Sequence, residues 1–370
     1  MKPVLFSSAY LTQCFPADYA AAHAAFRDAS LELLGSGAYR EFPFPESGPD
    51  RESLVTGVTW QGPVDADKVL VLQSATHGVE GFAGSAIQLD SLHSLTQEVL
   101  PSGCAILYVH ALNPYGFAWL RRVNELGVDL NRNFIDFDAP LPRNEDYQLL
   151  AGSLVPDSLQ DWPQATRAID RFRDQYGQRV LELAVTSGQY QFSEGLFYGG
   201  TSPSRSRLHL EEIITDYELE QRRLVAVIDI HTGLGPFGYG EVICDHPPGT
   251  LGVQWAKEWY GDCVTEPAMG SSTSVPKTGL IDYLWHRRLE DRVCFVTLEF
   301  GTYSVDRMFD ALRRDHYMHR HVLEWSSAEM QKVKQAMRGF FYPATADWQE
   351  MVLMRGRQCV GQALQGLCHE

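Results

Sequence analysis

Four nearly uninterrupted apolar runs, each closing in a polar cluster, constrain this chain more than any other feature. They are Val69-Leu70-Val71-Leu72, Ala105 to Val109, Leu224 to Ile230 and Val293 to Leu298. A strand with one face in water alternates apolar and polar residues. A strand that is apolar throughout is covered on both faces. The polar clusters that end these runs are His77-Gly78-Val79-Glu80, the stretch from Asn113 to Phe134, His231, and Glu299. Open α/β sheets place their ligands at strand ends, so these clusters are the candidate functional residues.

The intervening segments alternate with the strands in an α/β manner. An amphipathic helix is expected over 17–35, with Tyr19, Ala22, Phe26, Leu31 and Leu34 on one face, followed by a Gly/Pro-rich link from Gly35 to Asp50. Strands are expected at 53–60, 68–76, 104–110, 224–231, 240–244 and 293–300. Helices are expected at 81–97, 161–187, 249–260 and 280–290. The expected architecture is an α/β sandwich with one dominant mixed sheet. One domain over 1–370 is expected, with a helical insertion at about 140–220 and a helical C-terminal extension at about 304–370. Glycine at 78 is expected to permit a sharp turn that folds Glu80 back toward His77.

Composition narrows the function. The content of 44% apolar and 21% charged residues is that of an ordinary soluble globular protein. No apolar run approaches the roughly 18 residues that a membrane span needs, and polar residues at 7, 8, 12 and 13 interrupt any signal-peptide core. A cytoplasmic protein with no membrane partner is expected. The net charge of −16 argues against nucleic acid, whose phosphates an acidic protein repels. Seven cysteines without a Cys-x-x-Cys pair point to reduced thiols with no disulfide or metal role.

Two imidazoles and a carboxylate have the ligand types of a catalytic zinc with one position left open. His77, Glu80 and His231 supply them. His-x-x-Glu by itself is weak, since it also occurs as His209/Glu212 and His321/Glu324. Those two lie in charged helical stretches and read as solvated i,i+3 pairs. His77 and His231 differ because each ends an apolar strand. A rival cluster, His316, His319 and His321, has no strand context and is surrounded by arginines. Between the two metal-ligand strands lie Arg121-Arg122-Val123-Asn124 and Asp129-Leu130-Asn131-Arg132-Asn133. Arginine forks bind carboxylates in two-point fashion, and Asp129 can accept the N–H of a ligating histidine. Glu299, at a strand end without a local cation, is a candidate general base.

The ordered set His77-x-x-Glu80, Asn113-Pro114, Arg122-x-Asn124, Asp129-x-Asn131-Arg132-Asn133, His231 and Glu299 resembles the zinc carboxypeptidase superfamily. More narrowly, the start His-Gly-Val-Glu-Gly-Phe-Ala-Gly-Ser is similar to an uncharacterised bacterial branch of metallopeptidases. The resemblance covers roughly residues 68–303. It implies a three-layer α/β/α sandwich with a mixed, mainly eight-stranded sheet. It implies one zinc ion per chain held by His77, Glu80 and His231, with Glu299 as base and Asp129 behind the first histidine. Arg122 would polarise the scissile carbonyl, and Asn131 and Arg132 would hold a substrate carboxylate. The mobile tyrosine that such carboxypeptidases carry before the base has no secure match; Tyr283 is the nearest candidate. The implied substrate is a small peptide or acylated amino acid with a free carboxylate. Three activities stay open: a carboxypeptidase, an amidase or deacylase of N-acyl amino acids or cell-wall peptides, and an inert anion-binding protein on the same fold.

Overall fold

A computed structural model of the chain describes residues 6–96, 100–321 and 324–370. Eight strands form one sheet: β1 (Tyr39–Ser47), β2 (Ser53–Gln61), β3 (Lys68–Gln73), β4 (Cys104–His110), β5 (Leu224–Gly233), β6 (Gly240–Ile243), β7 (Val264–Thr265) and β8 (Val293–Gly301). Their spatial order is β1-β2-β4-β3-β5-β8-β6-β7. The four apolar runs are the four central strands, β4, β3, β5 and β8, all mutually parallel. The β1–β2, β2–β4 and β6–β8 pairs are antiparallel, which makes the sheet mixed.

The helices are α1 (Ser8–Cys14), α2 (Tyr19–Leu34), α3 (Gly81–Leu95), α4 (Pro114–Ala118), α5 (Glu145–Leu154), α6 (Trp162–Tyr176), α7 (Gln178–Thr186), α8 (Arg205–Asp216), α9 (Leu251–Tyr260), α10 (Asp282–Leu289), α11 (Val305–Arg320), α12 (Ala328–Phe341) and α13 (Ala346–His369). They cover both faces of the sheet. Leu70, Leu72, Ile106, Tyr108, Ile228 and Val296 pack with residues of α1, α2, α3, α9 and α13. Their neighbours Val69, Val71, Leu107, Val227 and Phe295 pack on the other side with α8 and α10. Successive side chains of a strand point to opposite faces, so both must be apolar when both faces are covered. The three-layer sandwich follows from that pattern.

Three local expectations are corrected. The stretch 35–50 is not a plain link, because β1 occupies most of it. Pro43 and Pro45 resemble breakers, yet β1 is an edge strand, and an edge strand has backbone positions that need no donor. The segment 161–187 is two helices, α6 and α7, divided at Gly177 (φ +90°). Leu31 is 39% exposed; the buried face of α2 is Tyr19, Ala22, Phe26, Ala29 and Ser30.

The segment between β4 and β5 and the C-terminal helices take part in the same packing. Residues of α5, α6 and α7 share a third apolar cluster with Met308, Phe309 and Leu312 of α11 and Phe340 and Phe341 of α12. Helix α13 lies against the sheet itself, and the Trp348 indole donates to the Gly301 carbonyl at 3.0 Å. No helix of the described residues is long and apolar enough to cross a membrane. The cysteines are all free thiols, five of them buried.

Candidate metal centre and cleft

The site stands at the C-terminal edge of β3, β5 and β8. His77 follows β3, His231 lies near the end of β5, and Glu299 is the register neighbour of His231 on β8. After β3 the chain turns at Ala75, which takes φ +57°, while the matching turn after β4 is at Ala111, φ +61°. The small alanine side chain keeps the cost of this left-handed conformation to about 1 kcal/mol. Gly78 has a different role from the turn expected of it. A Cβ there would lie 2.0 Å from the carbonyl carbon of Gly116, so Gly78 is needed for close approach to α4. That approach lets the Gly78 and Val79 amides donate to the Arg122 and Arg121 carbonyls, at 3.3 and 2.8 Å. The metal-ligand turn and the arginine loop are thereby one unit.

His77, Glu80 and His231 converge. His77 Nδ1 lies 3.0 Å from Glu80 Oε1, His231 Nδ1 lies 3.1 Å from Glu80 Oε2, and the two Nδ1 atoms are 3.1 Å apart. Among the described residues, they form the one group of three or more potential ligands whose donor atoms all lie within 4.8 Å of one another. All three are buried. The rear nitrogen of each ring is already engaged: His77 Nε2 with Asp129 at 3.1 Å, and His231 Nε2 with Asp229 at 2.7 Å. A carboxylate accepts, so each Nε2 carries a proton, and Nδ1 is the nitrogen of each ring that a metal ion would take. Two Nδ1 atoms and a carboxylate meeting at one point are a donor set for a single cation. Donor atoms about 2.0–2.1 Å from a tetrahedral zinc stand roughly 3.3 Å apart, close to the spacing seen. The residues fit a zinc ion.

The charges surrounding this group are mutually supporting. Burial would raise the Glu80 carboxyl, but His77 and His231 outweigh it and hold it well below the usual range. Burial would depress His231, and Asp229 and Glu80 more than reverse that. Asp129 is held low against burial by Arg122 and His77. Arg122 bridges the two acids, with Nε on Asp129 at 2.9 Å and Nη1 on Glu80 at 3.0 Å. Glu299 goes the other way. Burial and the Glu80 charge push its carboxyl up to about 7. Its Oε1 accepts from the Leu234 amide at 2.9 Å.

A cleft of about 830 Å³, open mouth included, contains these groups together with Asn131 and Arg132. Asn131 Oδ1 accepts from the Ile281 amide at 2.8 Å, leaving its NH₂ group unengaged among the described residues. The Arg132 guanidinium is fully buried, donating to the Thr186 carbonyl through Nε (3.0 Å) and Nη2 (2.6 Å) and to the Asn131 carbonyl through Nη1 (2.5 Å). Three of its five N–H groups are thus already used by the backbone. The ring of Phe197, a residue at φ +55°, lies 5.2 Å from the Arg122 guanidinium and 5.6 Å from that of Arg132. Tyr283 does not line the cleft; its hydroxyl donates to the Lys277 carbonyl at 3.0 Å.

Two groups that sequence reasoning missed shape the site. Asp229 is the one charge inside an apolar run, two residues before His231, and that isolation was the available signal. Glu241, the register neighbour of Glu299, accepts from Thr265, Ser272 and both the amide and hydroxyl of Thr273. It pins the 266–279 loop across the cleft, and nothing local in the sequence marks it. The rival His316/His319/His321 cluster is no metal site. His319 Nε2 lies 2.7 Å from Lys334 Nζ, in a buried charge network with Asp315 and Arg121, while the His321 ring lies against Tyr317 in a tilted contact, centroids 4.3 Å apart. His209 is buried against Phe44, not solvated as expected.

A family model described as a protein of unknown function (DUF2817) matches residues 15–355. No curated protein matches the chain. Among solved structures, carboxypeptidase A from Helicoverpa armigera is similar at 14% identity and a TM-score of 0.54, over 98% of this chain and 77% of that one. A metallo-carboxypeptidase from Burkholderia cenocepacia is similar at 13% identity and a TM-score of 0.40, over 90% and 68%. The succinylglutamate desuccinylase from Chromobacterium violaceum is similar at 15% identity and 0.36, over 86% and 74%. The first of these shows that the fold is the one found in carboxypeptidase A.

Proposed function

Because the chain belongs to the DUF2817 family, whose function is unknown, we propose from its site that it is a zinc-dependent hydrolase of an amide or peptide bond next to a substrate carboxylate, acting as a carboxypeptidase. One observation carries this reading: the meeting of His77 Nδ1, the Glu80 carboxylate and His231 Nδ1, each ring backed by its own aspartate. When bound there, zinc supplies Lewis acidity that polarises a carbonyl and acidifies water. The chain's residues do the rest. Glu299, with Oε1 held by the Leu234 amide, takes a proton from the attacking water and passes it to the leaving nitrogen. Arg122, fixed by Asp129 and Glu80, lends its remaining N–H groups to the developing oxyanion. The Asn131 NH₂ group and the two unused Arg132 N–H groups orient the carboxylate. Tyr283 is left out of this scheme, since its hydroxyl is bonded elsewhere.

The walls of the cleft favour a second reading. Glu182, Thr186, Phe197, Val305 and Met308 are among its lining residues, and a volume of about 830 Å³, open mouth included, is that of a small-ligand site. An N-acyl amino acid fits that confinement as well as a peptide end does, which makes the protein a deacylase on the same centre. The test is turnover by zinc-loaded protein of dipeptides, N-acyl amino acids and muropeptides, with Glu299→Gln as control. The variant is expected to keep its zinc and lose roughly 10²–10⁴-fold in kcat. Full turnover by Glu299→Gln would remove the base from the mechanism, and an inert zinc-loaded wild type would leave an anion-binding protein.

A further inference from the structure

Helix α13 ends at the edge of the sheet opposite the metal centre, where β3, β4 and β5 begin. Lys68, Cys104 and Leu224 are register neighbours there. The helix end is anchored twice. Arg223 donates through Nη1 to the Glu370 main-chain oxygen and through Nε to Asp67 at 2.8 Å. Leu364 and Leu367 pack in the same apolar cluster as Cys104. Cys368 stands between these anchors in the chain, and its thiol meets the Cys104 thiol closely enough to hydrogen-bond with it. The two cysteines lie far apart in the sequence and form no motif, so nothing local marks them as a pair.

The two thiols differ in access. Cys104 is fully buried, and Cys368 is the one exposed thiol of the seven. Burial, and then Cys368, push the Cys104 thiol up to about 11; the nearby Lys68 ammonium acts the other way, and Asp67 adds to the rise. Thiol–disulfide exchange needs a sulfur that the oxidant can reach, and then a second sulfur held against the first. Cys368 supplies the first and Cys104 the second. Cys244 and Cys294 also lie near each other, but both are buried and present no sulfur to an oxidant.

We infer that Cys104 and Cys368 are a reversible redox pair, which a small disulfide such as oxidised glutathione converts into a cross-link between β4 and the end of α13. First, the Cys368 thiol loses its proton and its sulfur attacks one sulfur of the small disulfide. The small S–S bond breaks, a mixed disulfide forms at Cys368, and the leaving sulfur takes up a proton as the first free thiol. Next, the Cys104 thiol loses its proton and attacks the Cys368 sulfur, and the second small thiol leaves with a proton. Two protein thiols are oxidised to one disulfide, and one small disulfide is reduced to two thiols. The Lys68 ammonium favours the Cys104 thiolate in the second step. The cross-link fastens the far end of the helix whose Trp348 holds Gly301.

The test incubates the folded full chain with oxidised glutathione and reads intact mass and a non-reducing peptide map. The wild type is expected to lose two hydrogens, carry no glutathione and join the peptides of Cys104 and Cys368, and dithiothreitol should restore the starting mass. Cys104→Ser is expected to stop with one glutathione on Cys368, since no second sulfur resolves it. Cys368→Ser is expected to take up none at Cys104. Circular dichroism verifies that each variant is folded, Cys104→Ala stands in if Cys104→Ser is not, and the wild-type map decides even without them. A wild type that keeps glutathione on Cys368, joins Cys368 to another cysteine or reacts at neither position overturns the pair. So does a folded Cys104→Ser that loses its glutathione as the wild type does.

Discussion

At the scale of single residues, the centre depends on how each imidazole is held from behind. Asp229 fixes the His231 ring through a 2.7 Å contact and is itself held by the Thr76 hydroxyl at 2.8 Å. Asp129 does the same for His77 and also anchors Arg122. Replacing Asp229 by Asn keeps the shape but can present an amide N–H to Nε2, which favours the wrong tautomer at Nδ1. Zinc affinity of Asp229→Asn, measured by competition with a chelator, is expected to fall about 10–100-fold. An unchanged affinity would mean that the ring is oriented by packing alone. His77, Glu80 and His231 were legible because a polar group closing a buried strand has few structural explanations. Asp229 could have been read by the same logic. Arg132 shows the limit, since its residue type suggested a free clamp and its surroundings use most of the fork on backbone carbonyls.

At the scale of elements, the turn between β3 and α3 carries the site. Its shape comes from the left-handed Ala75 and from the near-contact of Gly78 with Gly116. A methyl at position 78 has backbone on the far side at 2.0 Å, which no rotamer change can relieve. Gly78→Ala should therefore destabilise the fold by about 1–3 kcal/mol and separate the Glu80 turn from Arg122. Thermal unfolding with zinc stoichiometry checks both parts; a stable variant with full zinc would show that α4 can move aside. The central strands were legible because burial on both faces removes the polar half of the alternation. The edge strand β1 was not, since its two prolines carry the same signature as a loop and only its pairing with β2 makes it a strand.

At the scale of the whole molecule, the helices after β8 are tied to the arginine loop. Asp315 on α11 accepts from Arg121 at 3.0 Å and from Lys334 on α12 at 2.5 Å, and all three are buried. Arg121 precedes Arg122, so this network links the C-terminal helices to the loop at the centre. Burial would raise the Asp315 carboxyl, but Lys334 and Arg121 hold it well below its ordinary value. A depressed carboxylate contributes stability that is complete above its unfolded pKa, about 4, and is lost progressively as pH falls below that. Asp315→Ala leaves two cations buried without their acid and is expected to cost roughly 3–5 kcal/mol at pH 7. Its penalty should shrink as the pH is lowered below 4. Denaturant unfolding of both proteins at pH 7 and pH 3.5 checks this; a constant difference would show that the network contributes by packing. Sequence reading saw the histidines here as a possible metal cluster because spacing on one helix does not reveal the lysine brought in by the next.

By itself, the sequence determined the layered α/β architecture, the four central strands and the three donors of the candidate metal centre. These rest on local rules: an all-apolar strand must be covered on both sides, and an imidazole ending it must find a partner. What only the tertiary structure decided are the contacts between distant segments. The Asp229 contact behind His231, the Glu241 pin on the loop and the use of Arg132 by the Thr186 carbonyl are of this kind. The physical reason is that hydrogen bonds and charges act over a few ångströms of space, whatever the separation along the chain.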